Sequence, residues 1–106
     1  MRYPHVLFLR HSKYASVDTI IANAEAKGLL KCSVSITSDV YDVRKLFRTD
    51  CNVLVTYGRR KYEYEAVKTF IPERLQAAIW IHASSLDNID EFNSSVNYYF
   101  INHVVG

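Results

Sequence analysis

Apolar positions follow two different periods along the chain, and this predicts short strands separated by helices. Three runs are apolar throughout, as parallel strands covered on both faces are: VLFL at 6–9, VLV at 53–55 and IWI at 79–81. In CSVSIT at 32–37, apolar and polar residues alternate instead. Alternation of this kind predicts a strand at the edge of the sheet, so the second strand is expected to lie outside the first.

The clearest helix is predicted over 17–24, where apolar residues recur at helical spacing. Ser16 is its expected N-cap and Gly28 its left-handed stop. A second, shorter helix is predicted over 40–47, with side chains at 38–39 able to cap its first turn.

Two further helices are predicted in the second half of the chain. One runs from Tyr62 until Pro72 interrupts it. The last carries an apolar stripe from Ile89 to His103, and the spacing from Asn88 to Glu91 suits a capping box.

This alternation of strand and helix predicts one α/β domain over residues 1–106. With right-handed crossovers and the second strand at the edge, we expect a three-layer sandwich around a four-stranded, mostly parallel sheet of order 2-1-3-4, Rossmann-like or flavodoxin-like. Such sheets bind ligands where the strand order reverses, here between the carboxyl ends of strands 1 and 3. The apolar ending INHVVG is typical of an amino-terminal fragment of a longer protein.

Composition narrows the class of protein. Hydrophobic residues make up 49% and charged residues 23%, which is typical of a folded globular domain. A net charge of +2 is too small to indicate nucleic-acid binding, and no apolar run is long enough for a membrane span. Cys32 and Cys51 lack metal-ligand or CxxC spacing, so we expect buried thiols, no metal and a cytoplasmic location, with a disulfide as the alternative.

Basic side chains follow strands 1 and 3, and the expected topology brings them to one rim, where they could hold a phosphate or another anion. The alternative interpretation is that they are solvated loop residues. The candidate anion-binding residues are Arg10, His11, Ser12, Lys13, Gly58, Arg59, Arg60 and His82.

An enzymatic alternative starts from the Arg-His pair that leaves strand 1. A small histidine-phosphatase-like site could be built from Arg10, His11 and His82, although Ser12 stands where such enzymes usually have a smaller residue. A stand-alone anion- or nucleotide-binding module is the other alternative. No GxGxxG or Walker loop is present, so no cofactor is expected.

Several stretches resemble the amino-terminal α/β region that precedes the catalytic domain of some family-2-type glycosyltransferases of microbes and large viruses. They are HVLFLRHSKYASVDTII, SITSD, NVLVTYG and IWIHASSLDNIDEFNSSVNYYFINHVV. The matching positions are Thr56, Tyr57, Gly58, Trp80, Ile81, His82, Phe92, Asn93, Val96, Asn97, Tyr98 and Asn102.

The resemblance implies an auxiliary, non-catalytic domain that serves domain docking, oligomerisation or acceptor placement beside a downstream catalytic domain. The metal-binding DxD pair of that catalytic domain is absent from this chain. Where the family has an acidic turn after TYG, this chain has Arg59, Arg60 and Lys61. A homo-oligomer is a further possibility.

Overall fold

The structure is a computed structural model that describes residues 3–49, 51–69, 78–81 and 89–105, of which 46–49, 78, 80–81 and 105 are described by their backbone only. Strands β1 to β4 span His5–Arg10, Ser33–Thr37, Val53–Tyr57 and Ala78–Ile81. Helices α1 to α4 span Val17–Ala26, Tyr41–Thr49, Lys61–Lys68 and Ile89–Tyr99. A short 3-10 turn, Ser12–Tyr14, follows β1, and a π-helical segment, Phe100–Val105, continues α4.

The described strands form one parallel sheet in which β1 lies between β2 and β3. The predicted α/β class, the parallel sheet and the position of β2 beside β1 at the edge are therefore confirmed. Beyond β3, the short β4 pairs in parallel with Leu54 to Tyr57. Because Arg10 and Tyr57 are register partners, β1 and β3 end at the same level.

Helices cover both faces of this sheet, and β1 and β3 are therefore buried on both sides. Val6 and Phe8 pack with α1 and α4, whereas Leu7 and Leu9 pack with α2 and α3. We call these the α1/α4 face and the α2/α3 face. Each face buries a continuous apolar cluster, which is the main contribution to stability expected of such a fold.

The predicted ends of α1 are confirmed in part. Gly28 has φ +68°, the left-handed conformation expected of a helix stop. Ser16 precedes the helix, but its own backbone is helical and its side chain makes no capping bond.

Asp39 caps α2 as predicted, accepting a hydrogen bond from the Tyr41 backbone N–H at 2.9 Å.

The apolar stripe of the last helix does not include His103. Phe92, Val96, Phe100 and Val104 are buried at a constant spacing of four residues, while His103 is exposed. Residues three and four apart lie on one face of a helix, and here the fourth residue after Phe100 packs against the core. The prediction that His103 belongs to the apolar stripe is therefore wrong.

Both cysteines are buried and neither forms a disulfide, as predicted. Burial raises the pKa of the Cys32 thiol to about 11. Among the described residues, no helix has the length and apolar character needed to cross a bilayer.

Candidate functional site at the carboxyl rim of the sheet

The structure brings the two basic segments together at the carboxyl ends of β1 and β3. The His11 backbone N–H donates to the Tyr57 carbonyl at 3.0 Å, so the chain that leaves β1 stays beside β3. The segments 10–13 and 58–60 therefore share one rim. His82, the remaining candidate, lies outside the described residues.

Arg10 is held by an internal carboxylate. Its Nε and Nη2 donate to the two carboxylate oxygens of Asp18 at 2.6 and 3.0 Å, a bidentate pair. Asp18 lies in the first turn of α1. A helix amino terminus favours an anion, and here the chain supplies that anion itself. Arg10 thus anchors α1 to the end of β1.

Arg59 joins the ends of two strands. Its Nη2 donates to the carbonyl oxygens of Ser38, at 2.8 Å, and Arg10, at 3.3 Å. Its Nη1 lies 4.0 Å from a carboxylate oxygen of Glu63, at the limit of an ion pair. The guanidinium therefore donates hydrogen bonds to carbonyl oxygens at the ends of β1 and β2, and it lies close to the Glu63 carboxylate.

The His11 imidazole is oriented by its own turn. Its Nδ1 accepts a hydrogen bond from the Lys13 backbone N–H at 3.1 Å. A nitrogen that accepts carries no proton, so neutral His11 has its proton on Nε2. A phosphate-accepting imidazole would need its outward nitrogen unprotonated. The hydrogen bond favours the opposite tautomer, in which Nε2 of His11 is a donor.

Tyr14 fills the crevice that the strand order creates. Its ring lies against Gly58, and any side chain at Gly58 would overlap it. The same ring packs edge-on against Tyr57, with centroids 5.9 Å apart, and lies 6.3 Å from the His11 ring. Tyr14 was not among the candidate residues. Its only sequence signal is an aromatic residue shortly after β1 in a chain with a glycine after β3.

The exposed part of the rim consists of Ser12, Lys13 and Arg60. The Arg60 backbone N–H donates to the Glu63 side chain at 2.9 Å, which caps the start of α3 and leaves the guanidinium on the surface. The predicted anion site is thus divided into two internally bonded arginines and a small exposed group of donors.

A second concave feature lies on the α2/α3 face. It is a groove with a volume of about 250 Å³ between the start of α2 and the outer side of α3. Its lining is mostly apolar and consists of Val40, Arg59, Tyr62, Glu63, Ala66 and Val67. Sequence reasoning missed this groove, because it depends on how two helices are spaced across the sheet.

Within the described part of the chain, no group of three or more histidine, cysteine, aspartate or glutamate side chains could hold a metal ion. Comparison of the chain with protein-family models, curated proteins and solved structures found no match in any of the three. The site must therefore be interpreted from its own geometry.

Proposed function

We propose that this chain is an auxiliary, non-catalytic domain of Rossmann-like layout that accompanies the catalytic domain of a glycosyltransferase. The glycosyltransferase assignment and a microbial or viral origin are supported by the sequence resemblance alone. A cytoplasmic location belongs to the same proposal, supported by two cysteines that are buried and form no disulfide.

The observation that carries the non-catalytic part is the Tyr14 ring against Gly58. Ligands of open parallel sheets bind beyond the strand ends where the order reverses. At this position the chain places an aromatic ring, with the Arg10–Asp18 pair beside it. Arg10 and Arg59, two of the groups that could otherwise hold a phosphate, are bonded within the chain instead.

The His11 hydrogen bond argues against the phosphatase alternative. Phosphoryl transfer to Nε2 would require the imidazole proton on Nδ1, where the Lys13 N–H already donates. His11 would have to break this bond before it could act as a nucleophile. We therefore propose that the isolated chain hydrolyses no phosphate ester.

Weak anion binding is the second candidate, and the exposed donors at one rim favour it. Lys13 and Arg60 are both exposed there. A surface group of this kind would bind phosphate or the diphosphate of a nucleotide sugar through charge, without burying it.

An amide chemical-shift titration with UDP-sugars, UDP and inorganic phosphate, with and without magnesium, distinguishes these candidates. A silent spectrum is expected for a closed crevice. Saturable shifts at 10–13 and 58–61 that disappear in Arg60→Glu would establish the anion-binding module instead. Hydrolysis of p-nitrophenyl phosphate that is lost in His11→Ala would overturn the non-catalytic assignment.

The glycosyltransferase part has a separate test in the gene. We expect the reading frame to encode a DxD-bearing catalytic domain in the same polypeptide. A reading frame that contains no such domain would count against this part of the proposal.

A further inference from the structure

Charge is distributed unequally between the two faces of the sheet. Helices α1 and α4 contain carboxylates and no lysine or arginine: Asp18, Glu25, Asp90 and Glu91. Helices α2 and α3, counted in the same way, contain slightly more described cations than carboxylates: Arg44, Lys45, Lys61 and Lys68 stand against Asp42, Glu63 and Glu65. The acidic pair of helices and the slightly basic pair thus lie on opposite faces of the sheet.

The outer side of α4 combines acidic and apolar residues. Asp90, Glu91, Tyr98 and Ile101 project away from the buried side of the helix, and all four are exposed. We call them the α4 stripe. Tyr98 is 61% exposed and Ile101 52%, which is a high exposure for large apolar side chains. The two acids lie near the start of the helix and the apolar pair near its end.

The groove on the α2/α3 face has the complementary features. Its lining of Val40, Ala66 and Val67 offers apolar surface, with Tyr62 exposed at its edge. Its volume of about 250 Å³ suits one large side chain better than a whole small-molecule ligand. The exposed Lys61 begins α3 beside it.

We infer that the α2/α3 groove takes the α4 stripe of a second copy of this chain. Tyr98 or Ile101 would fill the groove, as an amphipathic helix presents anchors to a groove, and Asp90 and Glu91 would face the cations of α2 and α3. This inference goes beyond the proposed function and does not depend on it.

The geometry of such a contact sets the form of the assembly. The groove and the stripe lie on opposite faces of the same sheet, so each copy can bind one neighbour through its groove and another through its stripe. A contact between two different surfaces is heterologous and continues from copy to copy unless the ring closes. The association should grow with protein concentration and weaken with salt.

Sedimentation velocity on two variants at exposed positions tests the inference. Ala66→Glu places a carboxylate in the groove, and Tyr98→Lys places a cation on the stripe; both side chains are exposed, so neither change should disturb folding. Wild-type protein is expected to associate in about 50 mM salt and at least tenfold more weakly in about 500 mM. Each variant alone should be monomeric.

Mixing the two variants gives the decisive result. Ala66→Glu keeps an intact stripe and Tyr98→Lys keeps an intact groove, so an equimolar mixture should form a heterodimer and stop there. Ala26→Glu, a matched exposed change outside both surfaces, should associate as the wild type does.

Three results would overturn the inference. They are a wild-type chain that stays monomeric at about 0.5 mM in low salt, a variant that still associates alone, and a mixture of the two variants that stays monomeric. Circular dichroism of each variant checks that the fold is retained.

Discussion

The ring of Tyr14 lies on Gly58, the glycine that follows β3, and this contact closes the crevice between β1 and β3. Gly58 also has φ +71°, a conformation that side chains other than glycine adopt at a cost. One glycine therefore meets two separate requirements, one of the backbone and one of the packed ring.

Gly58→Ala is expected to lower the free energy of unfolding by about 2–4 kcal/mol, from the left-handed backbone and from overlap with Tyr14. Gly28→Ala is the matched control, because Gly28 has φ +68° and no atom lies within 4 Å of the place that an alanine methyl group would occupy. It should cost only about 1–2 kcal/mol. Urea denaturation measures both, and equal losses would contradict the role of Tyr14.

The strands of the sheet could be predicted from local patterns in the sequence, whereas the contacts at the rim of the sheet could not. Apolar runs such as Val53 to Val55 predict buried strands because both faces must be covered. The Tyr14–Gly58 contact and the Arg59 bonds to Ser38 join residues far apart in sequence. No local period encodes these contacts, because they depend on how loops meet after the sheet has formed.

Asp18→Asn should lower the free energy of unfolding by about 1 kcal/mol, because it removes one charge from the bidentate pair with Arg10. The value is modest because the Asp18 side chain is 39% exposed and solvent screens the pair. Glu25→Gln, an exposed change on the same helix, should have almost no effect. If both variants unfolded at the same urea concentration as the wild type, the pair would not anchor α1.

Cys32 should make the fold sensitive to high pH. Burial raises the pKa of its thiol from 9.0 to about 11, so the unfolded chain ionises first as the pH rises. The stabilising contribution is complete below about pH 9 and is lost between about pH 9 and 11, by at most about 1.4 kcal/mol per pH unit. Burial also raises the pKa of Tyr64, so ionisation of Tyr64 likewise lowers the stability of the fold at high pH.

Urea denaturation of the wild type and Cys32→Ala at several pH values above 8 separates the two groups. The alanine variant should lose less stability per pH unit than the wild type, with the remaining slope due to Tyr64 and other groups. Parallel curves for the two proteins would show that the Cys32 thiol is not the cause.

The burial of the last helix predicts which of two neighbouring residues supports the core. Val104 is buried four residues after Phe100, whereas His103 is exposed and lies against the Tyr99 ring, at 5.3 Å between centroids. Val104→Ala should therefore lower the free energy of unfolding by about 1–2 kcal/mol, since it removes buried methyl groups. His103→Ala should change it by less than about 0.5 kcal/mol. Thermal or urea unfolding of the two variants tests this assignment, because a larger loss for His103→Ala would mean that His103, and not Val104, packs against the core.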